Sequence, residues 1–84
     1  MNVVDLADQV VAAADLDDQA RDRVQFDMDY SDAEVAICDA LLATRKPLPL
    51  GLLVEIRTRA SSWLSGAALQ KVLDALDRQE RKIA

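Results

Sequence analysis

The sequence predicts an all-α fold of four or five short helices, and three observations lead there. Apolar residues are 51% of the chain, but aromatics are only 4% (Phe26, Tyr30, Trp63), so Leu, Val, Ile and Ala must build the core. Only two Gly and two Pro are present, which leaves too few turns for a β fold, whereas alanine favours helix. Apolar residues also recur at spacings of three and four, the period of a helix face. Eighty-four residues fit one small domain, 1–84, with an acidic helical segment over 1–30 and a core over 31–84.

Val3, Leu6, Ala7, Val10, Val11 and Ala14 define a helix over 3–14. Asn2 suits its N-cap, and Asp5 and Asp8 lie near the positive end of its dipole. Asp15-Leu16-Asp17-Asp18 interrupts the stripe. Either a second helix follows over about 17–25, with Ala20 and Val24 inward, or one bent helix runs through residue 25. Phe26-Asp27-Met28-Asp29-Tyr30 reads as a linker with alternating apolar residues.

Ser31-Asp32-Ala33-Glu34 matches the capping box S-x-x-E, with Tyr30 and Val35 as a hydrophobic staple. A helix over 32–44 follows, its inner stripe Val35, Cys38, Leu41 and Leu42 with Ile37 at the edge. Arg45-Lys46-Pro47-Leu48-Pro49 ends it, and Pro49 suits the first position of the next helix. That helix runs to about Ala60 on a stripe of Leu50, Leu53 and Ile56. Ser61-Ser62-Trp63-Leu64 reads as a turn, and Ser65 as the cap of a last helix over 66–80, with Leu64 and Leu69 as its staple. Leu69, Val72, Leu73 and Leu76 form that helix's apolar face.

The composition argues against most chemistry. The chain has no histidine, the commonest general base and metal ligand, so its serines lack a partner for nucleophilic catalysis. A single cysteine, Cys38, excludes an internal disulfide and zinc-finger spacing, and its place on a helix stripe suits a small buried hydrophobe. Gly51 and Gly66 stand alone, without a phosphate loop. Asp27-x-Asp29-x-Ser31 begins like a calcium loop, but Asp32 stands where that loop needs Gly and Cys38 where it needs Glu. No enzyme activity, metal or cofactor is expected, and no small-molecule substrate. No apolar run reaches membrane-spanning length, and the start of the chain lacks the basic residues of a signal peptide. A cytoplasmic protein is the expectation.

The net charge of −5 is an average of unlike halves. Residues 1–42 hold eleven acids and two bases, net −9; residues 43–84 hold eight bases and four acids, net +4. The acidic half suggests a surface for a basic partner protein, with Asp15, Asp17, Asp18 and Asp22 as contact residues. Trp63 reads as a core plug over a helix junction or as an interface anchor.

From residue 31 onward, the order of elements resembles the helix-turn-helix core of winged-helix DNA-binding domains. Ser31 to Val35 opens the first helix and Leu41-Leu42 lies near its end; Pro49 to Ile56 forms the second, and Ser65 to Arg78 the third. The resemblance covers about 50 residues and implies a trihelical core whose third helix enters the major groove. It makes Ser65, Gln70 and Lys71 groove-facing candidates, and Arg45, Lys46, Arg57 and Arg59 phosphate contacts. The chain departs from the family in three places. Glu80 stands near the usual Gly and no wing is expected, the turn at 61–64 lacks Gly, and the recognition turn carries Gly66-Ala67-Ala68 instead of large polar residues.

Two functions follow. The first is a non-enzymatic protein-interaction module or regulator that presents its acidic helical surface to a partner protein. The second is a helix-turn-helix transcriptional regulator, acting as a dimer, that binds duplex DNA through its C-terminal half. A homodimer is also a candidate assembly, because so small a chain buries a limited share of its surface.

Overall fold

In the computed structural model, residues 2–83 are described, and they form five helices: α1 (Val3–Ala13), α2 (Asp18–Asp29), α3 (Ala33–Ala43), α4 (Leu50–Trp63) and α5 (Gly66–Ile83). No strand occurs among the described residues, and none of their helices is long and apolar enough to cross a membrane. α3 is the hub, packing against α1, α2 and α5; α4 packs on α5 and touches α1. Leu6, Val10, Val24, Ile37, Leu41, Leu48, Leu53, Ile56 and Leu76 fill the core. Buried Ala7, Ala36, Ala40, Ala60 and Ala75 let the helix axes approach closely.

α1 and α2 are separate helices. Asn2 caps α1, its Oδ1 accepting from Asp5 N–H at 2.8 Å. Asp17 caps α2 in the same way, accepting from Ala20 N–H at 2.8 Å. Between the two, Leu16 is buried and anchors the connection in the core.

The linker expected over 26–30 is helical instead: α2 continues to Asp29. Aspartate is a weak helix former, but Val24, Asp27 and Met28 lie on the side packed against α3, and that packing overrides local preference. Ending α2 at Asp29 changes the role of Ser31. The Ser31 N–H donates to Met28 O (3.1 Å) and the Asp32 N–H to Asp27 O (2.9 Å). These are the paired bonds of a Schellman motif, and Ser31 takes its left-handed position with φ 62°. The expected capping box therefore does not form. Asp32 is the N-cap of α3, without a side-chain cap bond.

The inner face of α3 also differs from the expected stripe. Ala33, Ala36, Ile37, Ala40 and Leu41 are buried, Cys38 is half-buried, and Val35 and Leu42 are exposed. α3 is apolar on nearly every side, so periodicity could not choose its face; the three helices packed on it do. In α4, Pro49 is the N-cap and not the first helical residue, and Leu50 is exposed. The turn expected at 61–64 is absent, because α4 runs on to Trp63 with Leu64 as C-cap. Ser61 and Ser62 lie on the exposed side, while Trp63 packs against the core. The chain then breaks only at Leu64-Ser65, and Gly66 (φ 58°) opens α5, which extends to Ile83.

Gln79 holds the centre of the molecule together. It is 8% exposed, yet both ends of its amide are satisfied. Its Nε2 donates to Leu41 O at 2.9 Å, a carbonyl in the last turn of α3 that has no partner within the helix. Its Oε1 accepts from Leu48 N–H at 2.9 Å, which lets Leu48 enter the core with its amide paired. A second clamp joins the α1–α2 and α3–α4 connections. The Asp15 N–H donates to Thr44 Oγ1 (3.0 Å), Thr44 Oγ1 donates to Lys46 O (2.8 Å), and Arg45 N–H donates to Asp15 O (2.9 Å).

Two outcomes are expected from these junctions. Ser31→Gly should stabilise the fold by about 0.5–1 kcal/mol in urea unfolding, because glycine takes the left-handed position without strain. A loss of stability would instead mean that the Ser31 hydroxyl caps α3. Gln79→Ala should cost about 2–4 kcal/mol in the same assay, since it strands the Leu41 carbonyl and the Leu48 amide. A cost below about 1 kcal/mol would show that Gln79 is not the central clamp.

Candidate functional site

The candidate acidic contact residues divide into two pairs. Asp15 lies in the α1–α2 connection, where its Oδ1 accepts from Arg45 NH2 at 2.8 Å. That guanidinium holds the Asp15 carboxyl below its usual range, and the carboxylate in turn raises Arg45 further. Asp17 is used as the α2 cap. Asp18 and Asp22 are exposed on α2.

Asp18 and Asp22 belong to a line of residues that continues into the segment read from sequence as a linker. Asp18, Asp22, Phe26 and Tyr30 follow at four-residue spacing, one side of a helix. Phe26 is 59% and Tyr30 67% exposed, and their rings stack with centroids 4.5 Å apart at a tilt of 37°. Asp29 borders the pair and accepts from Gln25 Nε2 at 2.9 Å. Two of the chain's three aromatic residues are thus placed in solvent, next to carboxylates. The signal for this face was present in the spacing 22–26–30 and was hidden by the alternation of apolar and acidic residues.

The basic candidates are largely engaged within the chain. Arg45 is paired with Asp15. Arg57 spans to α5, reaching Asp77 at 2.7 Å and Glu80 at 3.2 Å. Arg59 pairs with Glu55 one turn away at 2.8 Å. Lys46, Ser65, Gln70 and Lys71 are exposed, and Gln70 Nε2 donates to Asp74 Oδ1 at 2.9 Å. Lys71, Arg78, Arg81 and Lys82 line the solvent side of α5, interleaved with Asp74 and Asp77. Trp63 is half-buried against the core at the end of α4.

Other features offer less. No group of three or more His, Cys, Asp or Glu among the described residues is arranged to hold a metal ion. An open groove of about 590 Å³ runs between α1 and the start of α4, lined by Gln9, Ala12, Ala13, Pro49, Gly51, Leu52 and Glu55. Its single ionisable group, Glu55, is the one paired with Arg59. No family model, curated protein or solved structure matches the chain.

Cys38 is half-buried, and burial together with Asp39 and Glu34 pushes its thiol up to about 11. At pH 8 it should hold about a hundredfold less thiolate than a thiol at the ordinary value of 9.0. Alkylation by iodoacetamide should be correspondingly slow in the folded protein and recover in denaturant. Equal rates in the two states would contradict this placement of Cys38.

Proposed function

We propose that this chain is a non-enzymatic protein-interaction module or regulator, and that the outer side of α2 is its contact surface. The exposed Phe26–Tyr30 pair, in line with Asp18 and Asp22, carries this reading. Leaving more than half of each ring in water forgoes much of the roughly 150–250 Å² that a fully buried aromatic hides, and a partner would recover that share. Aromatic residues anchor the centres of interfaces, and carboxylates beside them select a partner bearing Lys or Arg. Such cations also bind favourably over aromatic faces. The complement is therefore a basic protein surface with apolar side chains at its middle.

A helix-turn-helix regulator that binds duplex DNA as a dimer is the second reading. The exposed Lys71, Arg78, Arg81 and Lys82 on α5 favour it. The ion pairs of Arg45, Arg57 and Arg59 weigh against it, because phosphate contact requires breaking them.

The test places a photo-crosslinking amino acid at Gln19, beside the acidic–aromatic line, and identifies the adducts in cells. One adduct should dominate, and Asp18→Lys/Asp22→Lys and Phe26→Ala/Tyr30→Ala should each reduce it at least tenfold. Adducts that persist in both variants would remove α2 as the contact surface. Retention of duplex DNA at low salt, lost on reversing Lys71 and Arg78 but not the α2 residues, would favour the second reading.

A further inference from the structure

Asp27 is the one charged-type residue of the described chain that the fold buries, on the side of α2 that packs toward α3. It is 9% exposed, and its Oδ2 is enclosed without a hydrogen-bond partner. Asp39 of α3 is the neighbouring acid that acts on it most strongly. Two neighbouring acids, one of them buried, favour a state in which one holds a proton. Asp32, the N-cap of α3, adds a third negative charge nearby, while Arg23, one turn back on α2, opposes it weakly. A helix pair packed on apolar surface would be more stable with a leucine or an amide here, so the choice of two facing acids calls for a role.

We infer that Asp27 and Asp39 form a proton-operated latch between α2 and α3, closed by one shared proton and opened when that proton leaves to solvent. In the closed state the shared proton satisfies the carboxyl pair. In the open state the buried Asp27 carboxylate meets the charge of the half-exposed Asp39, to which Asp32 adds. The repulsion acts across the α2–α3 contact and loosens α2 from α3.

The sign of the effect follows from the two end states. Burial and the neighbouring acids raise the Asp27 carboxyl to about 6, against 3.8 as its ordinary value. Between these values the folded chain holds a proton that the unfolded chain has released. The stabilisation is therefore complete below the lower value and lost as pH rises through the upper one. The latch closes in mildly acidic solution and opens at neutral pH.

Carboxyl-carbon NMR titration and hydrogen exchange on the full chain test this without any partner. Asp27 should titrate near pH 6. From pH 5 to 7.5, the opening constant of α2 amides, corrected for intrinsic exchange, should rise about tenfold, and that of α5 by much less. Asp39→Asn supplies a permanent donor, so it should abolish the pH dependence and protect α2 at pH 7.5. Asp27→Asn should do the same from the other side. An Asp27 midpoint near 4 would overturn the latch, as would α2 protection in either variant that follows the wild-type pH profile. Should both variants fail to fold, the wild-type titration and exchange still decide.

Discussion

Helix ends are the main structural problem for a chain this short. Five helices expose donors at their starts and acceptors at their ends that no intrahelical bond satisfies. The solution here is to make each junction do two things. Ser31 and Asp32 close α2 and start α3 in the same step. Thr44 and Asp15 tie two connections into one knot. Gln79 reaches across the core to satisfy the end of α3 and the amide of Leu48 together. Apolar burial supplies the driving force, but these bonds decide which apolar residues can go inside. Leu48 is buried because its N–H has somewhere to point.

Much of the architecture was legible in the sequence because strong local signals agreed with the tertiary outcome. The break after α1, the Asn2 cap and the buried positions Leu6, Val10, Leu53, Ile56, Val72 and Leu76 all follow from period and capping chemistry. The failures between residues 25 and 32 have one origin. Ending α2 at residue 25 leaves Ser31 available as a cap for α3; continuing it to Asp29 makes Ser31 the left-handed residue of the α2 terminus. A capping box and a Schellman motif compete for the same serine, and the packing of α2 on α3 settles the contest. That packing places Asp27 at an inward position, where a charged residue breaks the very periodicity that would have revealed the helix. The face of α3 was illegible for a different reason: a helix apolar on nearly every side has little moment to read, and its neighbours choose.

The candidate sites were legible as residue types but not as pairings. Asp15 and Arg45, drawn from the acidic and basic candidate sets, bind each other. Their 30-residue separation gives no sign of this in the sequence. The half-to-half charge contrast is thus partly spent inside the molecule. What it leaves outside is a row of cations on α5 and, on α2, two unlike sides: rings and carboxylates in solvent, a buried carboxyl within. One helix therefore carries both the exposed surface and the buried acid that bears on how firmly that surface is held.

The junctions also differ in how far along the chain they reach. The joint at Ser31 is strictly local, and the α4–α5 break spans two residues. Gln79 closes over 31 residues to Leu48 and 38 to Leu41. Contacts between near neighbours form quickly, whereas distant ones must wait for the intervening chain to be ordered. The two helical pairs, α2 with α3 and α4 with α5, thus contain their own fast-forming contacts, and Gln79 is where one pair is fastened to the other. A bond of that kind belongs to the late side of the folding barrier, so its strength governs how long the native state lasts more than how quickly it is reached.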